Sequence, residues 1–161
     1  MKNRFVFNTP KENALRALYL LKASYPDKCS LERLLFLDYL SIYTKDSKLN
    51  SESLHPEYPM RAIEIYERRD GLSKGLLIMA AKGLIEVKYE DGISYCANSS
   101  TNWFIVGLNN EYSLLLLKNT RLVVELFKDR TDLEIKKFID VNIDKWGNEF
   151  EVSFLQQEEV I

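Results

Sequence analysis

His55 is the single histidine of the chain, and it stands in the polar stretch "SESLHPEYP" with Pro56 directly after it. A Ser-His-Asp triad would have to be built on that one loop side chain, and a lone histidine excludes His-based metal clusters. The simpler reading of His55 is a loop side chain or a hydrogen-bond anchor. Cys29 and Cys96 lie far apart, with no Cys or His nearby at metal-ligand spacing, so they read as reduced thiols. The phosphate-cradling GxxxxGK[ST], the dinucleotide-binding GxGxxG and the redox motif CxxC are all absent. The expectation is a protein that is not an enzyme, with no catalytic, cofactor-binding or metal-binding residues and no small-molecule substrate.

What remains for chemistry is charge. Arg61, Arg68, Arg69 and Lys74 cluster in "MRAIEIYERRDGLSKGLL" and are the candidate contacts to a partner protein or to phosphates, with Arg68 and Arg69 expected on an exposed helical face. Asp38 interrupts the apolar run "LERLLFLDYLSIY". A carboxylate buried there without a partner is costly, so Asp38 is expected to face an arginine or to cap a neighbouring backbone group.

The elements that must position these residues follow from capping and periodicity. "TPKE" reads as a capping box, with Thr9 at N-cap, Pro10 at N1 and Glu12 at N3, starting a helix that runs to about Ser24. Ser30 caps the next helix, whose leucines cover most of its circumference and make it central and buried. Residues 44–59 form a polar loop with two prolines, long enough to be functional or an interaction surface. From Met60 the pattern is helical again. Gly71 and Gly75 each cost about 1 kcal/mol in a helix interior, so a break is expected at "DGLS", with Ser73 capping a second helix that ends at Gly83.

"LIEVKY" and "ISYCA" around "EDG" predict a hairpin. Helix, helix-turn-helix and hairpin together predict a winged helix-turn-helix core over residues 1–98, in a mainly α chain. A helical extension is expected over 99–161, packed on that core. It comprises a short helix capped at Ser99, a long helix apolar on two sides from Tyr112, and a helix opened by the capping box "TDLE". "FVF" (5–7) and the alternating Phe150, Val152 and Phe154 read as strand-like.

Composition sets limits on function. The 161 residues carry a net charge of −2, placed unevenly: residues 1–85 sum to +4 and residues 86–161 to −6. Such a balance gives no general grip on nucleic acid. In the helix expected to read DNA, "SKGLLIMAAKG", only Ser73, Lys74 and Lys82 are polar, and none is the Asn, Gln or Arg that pairs bidentately with a base. Lys88 of the hairpin is countered by Glu86, Glu90 and Asp91. No apolar run is long enough to span a membrane, and the N-terminus lacks a signal-peptide pattern. The expectation is a soluble cytoplasmic protein without membrane contact.

The segments "ALRALYLL", "LERLLFLDYL", "SESLHPEYPMR", "ERRDGLSKGLLIMAAKGLIEVKYEDGISY" and "IDKWGNEF", in this order from about Asn8 to Phe150, resemble the type-two middle components of prokaryotic ABC-three-component systems. Those systems include the Lamassu-type anti-phage defences. The resemblance implies a small winged-helix adaptor subunit without enzymatic activity. It implies as partners an ABC ATPase of the SMC or Rad50-like type and an effector, often a nuclease, with DNA met only indirectly through the complex. It carries over no catalytic residues. The alternative that the hairpin and the arginines support is a winged-helix transcriptional regulator that binds its own promoter.

Overall fold

Thr9 accepts a hydrogen bond from the Glu12 amide at 3.2 Å and Pro10 takes the first helical position, so α1 (Pro10–Ser24) starts where its cap requires. The computed structural model describes residues 9–146. The strand-like residues 5–7 and 150–154 therefore lie outside the described residues. α1 is buried along most of its length, from Asn13 to Leu21, and packs against α2 (Leu31–Ile42), α4 (Arg69–Ala81), α5 (Ser99–Val106) and α6 (Glu111–Phe127). α2, capped by Ser30, is buried at every position from Leu34 to Ile42 and also meets α7 (Asp132–Asn142). The chain is mainly helical, with seven helices among the described residues and one small antiparallel sheet.

The expected break at "DGLS" does not form. α4 runs unbroken through Gly71, Ser73 and Gly75, and Ser73 caps nothing. The junction lies earlier, at Arg68, between the short α3 (Glu64–Glu67) and α4, where Arg68 donates its amide to Glu64 and Leu72 donates to Arg68. The glycines have a tertiary reason. A Cβ at Gly75 would sit 2.5 Å from the Pro10 carbonyl oxygen and 2.8 Å from the Ala14 Cβ, and one at Gly71 would sit 2.9 Å from the Asn13 amide nitrogen. These glycines let α4 lie closely across α1, and that packing outweighs their poor helix propensity.

α4 ends as expected at Gly83, in the left-handed region at φ 72°. Leu84 donates to the Met79 carbonyl and Gly83 to that of Ala80, the paired bonds of a Schellman motif. The hairpin follows: β2 (Ile85–Lys88) pairs with β3 (Ser94–Ala97), with Ile85 opposite Ala97 and Lys88 opposite Ser94. Asp91 and Gly92, both at positive φ, turn the chain. A third strand, β1 (Cys29–Ser30), adds to the other edge of β3, so the order is β1-β3-β2. Two residues give too little alternation to be read as a strand.

Asn98, one residue before the expected Ser99, caps α5 in a full capping box with Thr101. The Asn98 amide also donates to the Gly83 carbonyl at 3.1 Å, and the Thr101 hydroxyl donates to Leu84, tying the start of α5 to the end of α4. The "TDLE" box opens α7 as expected. Ile105, Leu116, Val123, Phe127, Ile135 and Ile139 join the same core as Leu18, Leu34 and Leu76.

Candidate interaction surface and the charge network behind it

Arg16 on α1, Asp38 on α2 and Arg68 at the start of α4 converge in the interior, all 4% exposed or less. Arg16 Nε donates to Asp38 Oδ1 at 2.6 Å, and Arg68 Nη1 donates to Asp38 Oδ2 at 3.0 Å. Burial alone would raise the Asp38 carboxyl, but the two guanidinium groups reverse this and hold it below its ordinary value. They also make it a fully paired buried charge, which satisfies the expectation that Asp38 faces an arginine. Arg68 further meets Glu64, which accepts from the hydroxyls of Tyr43 and Tyr58. Asn13 accepts from Arg16 at 2.6 Å, and Glu12 lies 3.5 Å from the same guanidinium.

A second buried pair anchors the polar loop. Arg61 spans Asp46 with two bonds, of 2.6 and 2.9 Å, in the bidentate geometry that favours arginine. Tyr39 donates to Asp46 at 2.7 Å. His55 is buried beneath the loop, with Nε2 3.8 Å from Glu12 Oε1. Burial, aided by the positive charges of Arg16 and Arg68 and opposed by Asp38, pushes the His55 pKa down to about 4. The ring is therefore neutral at physiological pH and acts as a loop anchor. Asn119 of α6 completes the attachment. Its amide donates to the carbonyls of Ser41 and Glu52, and its oxygen accepts from Ser51 at 2.6 Å.

The four candidate contact residues thus separate. Arg61 and Arg68 are interior, which corrects the exposed position expected for Arg68: its guanidinium is consumed by Asp38 and Glu64. Arg69 and Lys74 are on the surface of α4, where Arg69 lies 3.3 Å from Glu32 and Lys74 lies 2.9 Å from Asp70. Beyond them the surface of α4 turns apolar: Leu77 is 62% and Ile78 38% exposed. Sequence reading passed over these two because "GLLIMAA" is apolar on every side. The signal that singles out Leu77 is the pair of glycines, which mark the face opposite to it as the one pressed onto α1; Ile78, seven residues on from Gly71, lies at the edge of that packed face.

The side chains that carry the family resemblance gather in the two buried networks: Asp38 of "LDYL", His55 of "SLHP", Arg61 of "PMR" and Arg68 of "ERRDG". Their chemistry is to pin a loop and three helices through partners within the chain. Among the described residues no group of His, Cys, Asp and Glu could hold a metal ion, and no helix is long and apolar enough to cross a membrane. Cys29 and Cys96 are buried free thiols. Comparison with curated proteins and with solved structures returns no match. A family model does match, over residues 6–149 and so over nearly all of the fold just described: the chain belongs to the ABC-three component (ABC-3C) system Middle Component 2 family, and is an accessory subunit of a multi-component system.

Proposed function

We propose that this chain is a non-catalytic adaptor that joins an SMC- or Rad50-like ABC ATPase to an effector, often a nuclease, in a cytoplasmic anti-phage defence complex of the Lamassu type. The observation that carries this reading is the family match over residues 6–149. The order helix, short strand, helix, helix and hairpin, with strands β1-β3-β2 in one sheet, supports a winged helix over residues 1–98 with an extension over 99–161. In that arrangement α4 is the helix that would enter a DNA groove. Its outer face offers Leu77 and Ile78 where base edges demand hydrogen-bonding side chains. Arg69 and Lys74 rim this apolar strip, and such a face suits a protein surface better than a duplex.

The test is co-expression of the tagged chain with its neighbouring genes, followed by mass determination of the intact complex. Recovery of a large ABC ATPase, with or without a nuclease-like subunit, is the expected result. A free monomer or homodimer that binds its own promoter would replace this reading with that of a regulator. Leu77→Glu with Ile78→Glu is expected to weaken the complex while leaving the isolated chain within about 1 kcal/mol of its original stability, as surface changes do.

A further inference from the structure

Beyond α7 the chain passes along one side of an open apolar groove, whose other side is the segment from Met60 through α3. Met60, Ile63 and Tyr66 line it and are 63%, 47% and 51% exposed, a concentration of large apolar side chains that calls for an occupant. Trp146 lines the opposite side, itself buried against Tyr39 and Phe138. The space between them is about 490 Å³, room for bulky side chains. The charged residues of the lining are Glu67 and Asp144, both carboxylates. An anionic ligand meets only repulsion there, and two copies placed groove to groove would set these carboxylates against one another.

Trp146 is also where the described residues end, and the sequence that follows it is apolar at alternate positions, Phe150, Val152 and Phe154. In an extended segment such alternation puts these three on one side and Glu149, Glu151 and Ser153 on the other. Phe150 is four residues beyond Trp146, so it lies within about 14 Å of the groove's own lining even at full extension. A tether this short gives the segment an effective concentration on the order of 1 mM, against which any occupant from another molecule must compete. We infer that the groove between Met60–Glu67 and Trp146 is the seat of this chain's own residues 150–154, with Phe150, Val152 and Phe154 against Met60, Ile63 and Tyr66. The glutamates of the segment then face away from Glu67 and Asp144. This inference does not depend on the accessory-subunit reading; it assigns the groove to the chain itself and leaves α4 as the face for a partner.

Peroxide converts accessible methionine to its sulfoxide, and mass spectrometry of the full chain reads each methionine separately. Met60 is expected to oxidise about tenfold more slowly in the folded chain than in urea, the protection that an effective concentration of about 1 mM gives a seat with a dissociation constant of about 0.1 mM. Phe150→Ser with Phe154→Ser is expected to bring Met60 close to the rate in urea. Met79 of α4, 9% exposed, should stay protected and so report that the variant is folded. Oxidation of Met60 at the unfolded rate in the original chain overturns the proposal, and so does unchanged protection of Met60 in the folded variant. Should the variant fail to fold, a cysteine pair tests the same seat. Ile63→Cys with Val152→Cys is expected to be bridged within one chain by a short bifunctional thiol reagent, the native Cys29 and Cys96 being buried. Leu133→Cys with Val152→Cys is expected to stay open, because Leu133 lies ten residues before Ile143, about 15 Å back along α7. Equal bridging of the two pairs overturns the proposal. Bridging between two chains alone also overturns it, in favour of a segment donated by a second copy.

Discussion

Asp38 lies between two guanidinium groups that arrive from different helices, so its partners differ in what they risk. Arg68→Ala leaves the carboxylate paired with Arg16 but strips one side of a buried ion pair, a change expected to cost about 3–5 kcal/mol in urea unfolding. Arg69→Ala, one residue on, loses only an exposed 3.3 Å contact with Glu32 and is expected to cost under about 1 kcal/mol. Equal losses would mean that Arg68 is not the buried partner. The need for an arginine at Asp38 was legible in the sequence, because the carboxylate interrupts an apolar helix. Arg68 could be offered as its partner from the sequence, but Arg16 could not, since it lies 22 residues away and nothing local marks it.

His55 gives the same network a pH dependence. Its pKa in the fold is about 4, against an ordinary 6.5. Between those values the unfolded ring carries a proton that the folded ring does not. Stability is therefore full above pH 6.5 and is lost as pH falls toward 4, by on the order of 3 kcal/mol. Glu12, which faces the ring and whose pKa burial raises, works in the opposite sense: its contribution is full below 4.5 and declines as pH rises through its folded value. Comparing His55→Asn with the original chain at pH 7 and pH 4.5 separates the two. The variant is expected to lose less stability across that interval, and an unchanged loss would show that the histidine is not its source.

Among the elements, α4 shows where local rules yield to packing. Gly75→Ala gains about 1 kcal/mol of helix propensity. It also drives a methyl group to 2.5 Å from the backbone oxygen of Pro10, which has no side-chain freedom with which to retreat. Overpacking of this kind typically costs about 1–3 kcal/mol, so a net loss of thermal stability is expected, and a gain would mean that α4 does not lie so closely on α1. The helix starts at Thr9, Ser30 and Thr131 were readable because capping is encoded within four residues. Asn98 was missed by one position, because Ser99 beside it is also a good cap. The polar loop was readable as a loop, but its attachment through Asn119 was not, since Asn119 lies in the polar run "KNTR" of α6, where it reads as a surface side chain. Asn119→Ala removes the bonds to Ser41, Ser51 and Glu52 together. It is expected to speed amide exchange across residues 51–55 while α1 and α2 stay protected, and unchanged exchange there would show that the loop is held by its own contacts.

For the molecule as a whole, the division at residue 98 came from the end of the hairpin pattern, because sequence reads elements in order and cannot weigh contacts between distant ones. The structure gives both parts one core, in which Leu116 and Val123 of α6 and Ile135 and Ile139 of α7 are as buried as Leu18 and Leu34. A core shared in this way predicts a single cooperative unfolding transition. The two tryptophans are placed to test it. Trp146 is 8% exposed, stacked on Tyr39 of α2 at 5.3 Å and close to Phe138, whereas Trp103 on α5 is 78% exposed. In Trp146→Phe the remaining emission should be red-shifted and quenched by iodide even in the native state. In Trp103→Phe it should be blue-shifted and protected until the chain unfolds. Circular dichroism of each variant should then give one transition, and the emission of Trp146 should move at the same denaturant concentration as helix is lost. An earlier change in Trp146 emission would show that α7 and the chain leading to Trp146 leave the core before α1 and α2 melt. The extension would then be a separately unfolding unit, free to rearrange when a partner binds.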